Sequence, residues 1–199
     1  DRSVMPKLGE TPKFTPPPVV RRKLSNGLEV VVAERHELPL LSLRLVVKAG
    51  ETLAPAEKNG LAAMTAALLT EGTATRDSLT LAGELAEIGA SLHGSAGVES
   101  SGLSLTTLKR HSEEALGLFT DVLLHPTFPD KELNRLKAQR LASIKARSDS
   151  APGIAMTVFP RLLYGESHPY GRPDTGTLKS VAAITRDDVV GFHKRVYSP

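Results

Sequence analysis

Apolar and polar positions change period along this chain, and the changes mark its elements. Residues 41–48 (LSLRLVVK) alternate Leu41, Leu43, Leu45 and Val47 with Ser42, Arg44 and Lys48. That is the period-two signature of a strand with one buried face, broken on its polar side by Val46 alone. Residues 59–71 (NGLAAMTAALLTE) switch period: Leu61, Met64, Thr65, Leu68 and Leu69 fall at helical spacing and alanine fills the rest. A helix so rich in alanine predicts close packing on more than one side. Upstream, Asn26-Gly27 joins a strand at 21–24 to one at 28–34, because both turn residues tolerate positive φ. A second helix at 79–88 takes Ser78 as its N-cap and stops at Gly89. Residues 91–97 and 101–108 predict a second hairpin.

Helices at 112–124, 130–148, 153–164 and 186–197 follow, with Pro126 and Pro129 separating the first two. Helix 130–148 opens with Asp130 and Glu132 and closes near Lys145 and Arg147, matching the helix dipole. Leu133, Leu136, Leu141 and Ile144 form its apolar side. Thr185 and Asp188 make a T-x-x-D capping box for the last helix. The order is β-β-β-α-α-β-β-α-α-α-α. Strands and helices are segregated, which predicts an α+β fold: an antiparallel or mixed sheet of about five to six strands with helices packed on one face.

Composition narrows the function more than the fold. The chain has 199 residues, 40% of them apolar, enough for one domain with a buried core. Residues 1–20, with Pro6, Pro12, Pro16, Pro17 and Pro18, read as a proline-rich linker, leaving 21–199 as the domain. The net charge of +3 is spread among acids and carries no nucleic-acid footprint. Lys131, Arg135, Lys137, Arg140, Lys145 and Arg147 on helix 130–148 read as a solvated face, since no aromatic stacking residues accompany them. No cysteine is present, which excludes disulfides, thiolate metal sites and a thiol nucleophile. No apolar run reaches the length of a membrane span.

Among the six histidines no pair has i, i+4 spacing. His168, in His-Pro-Tyr-Gly, reads as a loop residue holding a turn, and Asp121 with His125 as a local pair near a helix end. Neither a G-x-S-x-G elbow nor a G-x-x-x-x-G-K phosphate loop occurs.

A series of blocks then aligns with a known group. They are Leu24-Ser25-Asn26-Gly27-Leu28-Glu29-Val30; Gly60-Leu61-Ala62 through Glu71-Gly72-Thr73; Leu85 to Ala90 (LAEIGA); and Pro126-Thr127-Phe128-Pro129. Leu163-Tyr164-Gly165, His168-Pro169-Tyr170-Gly171, Gly176-Thr177, Ile184-Thr185 and Tyr197-Ser198-Pro199 complete the series. In this order and spacing, over residues 20–199, they resemble the insulinase/pitrilysin zinc metallopeptidases, the inverzincin-fold group that includes mitochondrial processing peptidase.

In active members the first helix carries H-x-x-E-H, whose two histidines hold Zn²⁺ while the glutamate acts as general base on the metal-bound water. A glutamate on a later helix completes the ligand set. The resemblance puts Ala63 and Ala67 at the histidine positions, Ala66 at the general base and Ser143 at the third ligand. Alanine offers no donor atom, so the resemblance implies no catalytic residue and no metal in this chain, with zinc expected only in an active partner half. It further implies an inactive half that pairs with an H-x-x-E-H-bearing half, on the same or a neighbouring polypeptide, to enclose peptide substrate. The alternative is an assembly module with no proteolytic partner. Two more expectations come from the resemblance alone: a fragment of a longer bacterial protein that continues into another strand, and a periplasmic location.

Overall fold

The computed structural model describes residues 15–197 together with Val4, Gly9, Thr11 and Lys13. Pro6, Pro12, Ser198 and Pro199 therefore lie outside the described residues, while Pro16, Pro17 and Pro18 carry no regular structure. Two compact units divide after Leu38.

The first unit contains an antiparallel hairpin of β1 (Val19–Lys23) and β2 (Glu29–Ala33), with Val19 opposite Ala33 and Lys23 opposite Glu29. Its connection keeps the bounds read from the sequence but differs at Asn26. Only Gly27 takes a positive φ, at 90°; Asn26 does not. The Gly27 N–H donates to the Leu24 carbonyl at 2.9 Å and the Leu24 N–H to the Leu28 carbonyl at 2.8 Å. This is a three-residue loop over 25–27, the span that the strand bounds read from the sequence left for it, with glycine at the left-handed position. Asn26 contributes through its side chain: Oδ1 accepts from the Leu28 N–H at 3.1 Å.

The second unit holds the core. β3 (Leu40–Val47), β4 (Ser91–Ala96) and β5 (Ser101–Leu108) form a three-stranded antiparallel sheet in the order β3-β5-β4. Five strands are thus present among the described residues, divided between a two-stranded and a three-stranded sheet. Register builds the buried face: Leu43, Leu105 and Leu92 form one cross-strand row, and Leu45, Leu103 and Gly94 the next. Ser42, Arg44, Ser91, His93 and Thr106 point the other way and are exposed.

Helices α1 (Leu61–Leu68), α2 (Ser78–Glu87) and α3 (Ser112–Leu124) pack on this sheet. α4 (Asp130–Ser148), α5 (Ala151–Tyr164), α6 (Leu178–Ala183) and α7 (Arg186–Val196) complete the unit, with α7 and α4 packed on α1. Leu61, Met64, Leu68, Leu103, Leu105, Val122, Val189 and Phe192 form the heart of the apolar core.

Two local readings are corrected. The N-cap of α2 is Asp77, whose carboxylate accepts from the Thr80 N–H at 2.8 Å; Ser78 is already inside the helix. Aspartate holds both a stronger acceptor and a full charge against the helix dipole. α6 is an additional helix, closed by a capping box of Thr177 and Ser180 that the chain order above did not contain. The Thr185–Asp188 capping box of α7 forms as expected.

A candidate site at the first helix

α1 begins without a capping side chain of its own, because its N-cap is Gly60, at φ 96°. Glu51 supplies the missing acceptor from a 3-10 turn nine residues upstream: its carboxylate accepts from the Gly60 N–H and, at 3.1 Å, from the Ala62 N–H. Glu51 is only 3% exposed. Burial pushes its carboxyl up to about 7, against the two N–H donors and the Arg172 charge, while Asp174 adds to the rise.

The loop 172–177 closes over this end of the helix. Gly60 and Gly176, at φ 96° and 82°, bring two backbones together: a Cβ on Gly176 would lie 2.5 Å from the Asn59 carbonyl oxygen. The Asn59 side-chain amide donates to the Pro173 carbonyl, and the Ser180 hydroxyl donates to the Asn59 carbonyl at 2.7 Å. Asn59 Oδ1 and Arg172 Nε stay buried there without a partner among the described residues.

One turn further along, the structure places the sequence-derived positions. Ala63 and Ala67 lie a turn apart on α1 and are half-buried; Ala66 is fully buried; Ser143 is exposed on α4, which packs against α1. At Ala66 the helix presses on the sheet. A Cβ added to Gly94 would come 2.0 Å from the Ala66 carbonyl oxygen, so this strand position admits glycine alone without a shift of backbone. Thr65 is the one polar side chain within α1, buried and with its hydroxyl unpartnered among the described residues.

These four side chains do not fit a zinc ion. Alanine has no ligating atom, and a lone serine hydroxyl on α4 is not a zinc-type donor set. Among the described residues no group of three or more His, Asp or Glu is arranged to hold a metal. Three of the histidines are held by local partners. His168 Nδ1 accepts from the Tyr170 N–H at 3.1 Å, holding its turn as read from the sequence. His125 pairs with Asp121 at 3.3 Å. His193 sits by the Leu123 carbonyl at 3.1 Å, with burial pushing its basicity down.

The cluster of Glu51, Asn59, Arg172 and Gly176 escaped the sequence reading. Its members come from three stretches with no shared motif; Asn59-Gly60 ahead of a helix was the one local signal. The basic side of α4 is also less solvated than its composition suggested. Lys137 donates to the Ala182 and Ile184 carbonyls, each at 2.8 Å, and Arg135 bridges Glu71 and Glu132. No helix among the described residues is long and apolar enough to cross a membrane.

Comparison with known proteins gives this arrangement its context. The sequence profile of insulinase (peptidase family M16) matches residues 29–162. An uncharacterized zinc protease of Mycobacterium leprae is 29% identical over 181 residues, 91% of this chain and 40% of that protein. The Helicobacter pylori protein named non-peptidase homolog YmxG is 27% identical over 168 residues, 84% of this chain and 39% of its own. The crystal structure of a peptidase M16 inactive domain from Pseudomonas fluorescens superposes with a TM-score of 0.83 at 32% identity, over 88% of this chain and 43% of that one. The chain thus spans about 40% of the length of such curated relatives. Profile, relatives and fold agree: the chain belongs to the insulinase family of peptidases, M16.

Proposed function

We propose that this chain is a non-catalytic M16 domain that pairs with a zinc-bearing half and helps enclose peptide substrate. One observation carries the reading: Ala63, Ala66, Ala67 and Ser143, the positions the family motif assigns to ligands and base, offer no metal ligand and no base. The fold around them is intact, with α1 capped by Glu51 and seated on Gly94. The names of two relatives, an inactive M16 domain and a non-peptidase homolog, support the same reading. Helix α5 supports the pairing. None of its residues is buried, and Met156, Phe159 and Leu163 form an exposed apolar stripe along it, the kind of surface that a second protein unit covers.

The test mixes the purified chain with an H-x-x-E-H-bearing half encoded in the same or an adjacent reading frame. Co-elution and faster hydrolysis of an unfolded peptide are expected. A half that co-elutes without any gain in hydrolysis overturns the proposal and favours the alternative, an assembly module.

A further inference from the structure

A cavity of about 460 Å³ opens between the end of α4, the start of α5 and the approach to α6. Its size is that of a small-ligand site. Ile144, Ile154, Val158 and Leu178 give it apolar walls, and the last three are 40 to 50% exposed. Its charged lining residues are Arg147 and Lys179; no acid lines it, and the acids nearest in sequence, Asp149 and Asp174, lie outside it. An apolar cavity with two cations and no anion is complementary to a carboxylate carried on an apolar body.

The two cations are available. Arg147 has five N–H donors and spends one on Thr175 Oγ1 at 3.0 Å. Neither Arg147 nor Lys179 forms an ion pair among the described residues. The wall is also fixed in place. A Cβ on Gly153 would lie 2.5 Å from Arg147 Cγ, so glycine lets the first turn of α5 close on the arginine stem.

We infer that this cavity is a binding site for the C-terminal carboxylate of a peptide ending in an apolar residue. Arg147 and Lys179 take the carboxylate, and the Ile154, Val158 and Leu178 surface takes the terminal side chain. A peptide suits the cavity better than a fatty acid for two reasons. The cavity is open to solvent, whereas a long alkyl chain needs an enclosed tunnel. Its walls also carry the hydroxyls of Ser148 and Thr157, which donate to the Ile144 and Gly153 carbonyls and keep lone pairs for an amide N–H. The site does not depend on a zinc-bearing partner.

Calorimetric titration of the chain tests this with an acetylated tripeptide ending in leucine, as free acid and as its C-terminal amide, and with octanoate. Saturable binding of the acid is expected, with the amide about tenfold weaker for the lost charge-assisted contacts. Lys179→Gln, at an exposed side chain with no ion pair among the described residues, should weaken the acid several-fold and leave both the amide and the circular dichroism melt unchanged. Equal binding of acid and amide, or no binding of either at millimolar concentration, overturns the site. Tighter binding of octanoate than of the peptide acid overturns the choice of a peptide.

Discussion

Two residues set the terms for α1. Glu51 is buried with its charge opposed by desolvation, so its carboxyl titrates at about 7 in the folded chain against an ordinary 4.5. The sign follows from proton counting: between these values the folded state holds a proton that the unfolded state has released. The stability contributed by the protonated carboxyl is full below 4.5 and is lost as pH rises to about 7, by about 3 kcal/mol in all. His193, whose basicity is pushed down by burial, works in the opposite sense and costs stability as pH falls below 6.5. The Glu51 effect is therefore read as a difference. Glu51→Gln should flatten the fall in melting temperature between pH 5 and pH 8 relative to the parent chain; an unchanged pH profile would show that the carboxyl is not desolvated. Gly94 is the second residue. A methyl group there meets the Ala66 carbonyl at 2.0 Å, so Gly94→Ala should cost about 2–3 kcal/mol in urea unfolding. Gly83, with nothing within 4 Å of an added Cβ, is the control.

Among the elements, caps separate what the sequence declares from what it conceals. Asp77→Ala should lower the thermal midpoint, and Ser78→Ala should leave it nearly unchanged, since the Thr80 N–H is held by Asp77 alone. Strands β3 and β5 and helices α1 to α4 were legible from their apolar periods, with Val46 the one break in β3; β4, with Leu92 as its one large apolar residue, was legible through the polar break that joins it to β5. α6 was not, because it spans six residues and its box ends in Ser180 rather than an acid or amide. The bounds of the loop at Asn26-Gly27 were legible but the Asn26 conformation was not, because the dipeptide permits two hairpin connections and the flanking Leu24 and Leu28 backbone bonds decide between them. The positions that the resemblance assigns on α1 lie at fixed offsets along one helix. The Glu51–Asn59–Arg172–Gly176 cluster could not be read, since only folding brings residues 51, 59 and 172–176 together.

For the molecule as a whole, the proposed loss of chemistry can be probed by reversing it. Ala63→His, Ala67→His and Ser143→Glu together should bring zinc to the folded chain, measured as metal content after dialysis, because the three positions are half-buried or exposed. No bound zinc in a folded triple variant would show that the positions do not converge. Ala66→Glu stands apart: the site is fully buried, so the carboxylate should destabilise by several kcal/mol unless metal and water arrive with it. That asymmetry has a consequence for the proposed reading. Each ligand is useless without the others, and the base is harmful without all of them, so no single substitution toward the family motif gains activity and one is penalised. On the proposed reading, the full burial of Ala66 therefore acts as a ratchet, since the one substitution that would supply a base is the one the packing penalises most.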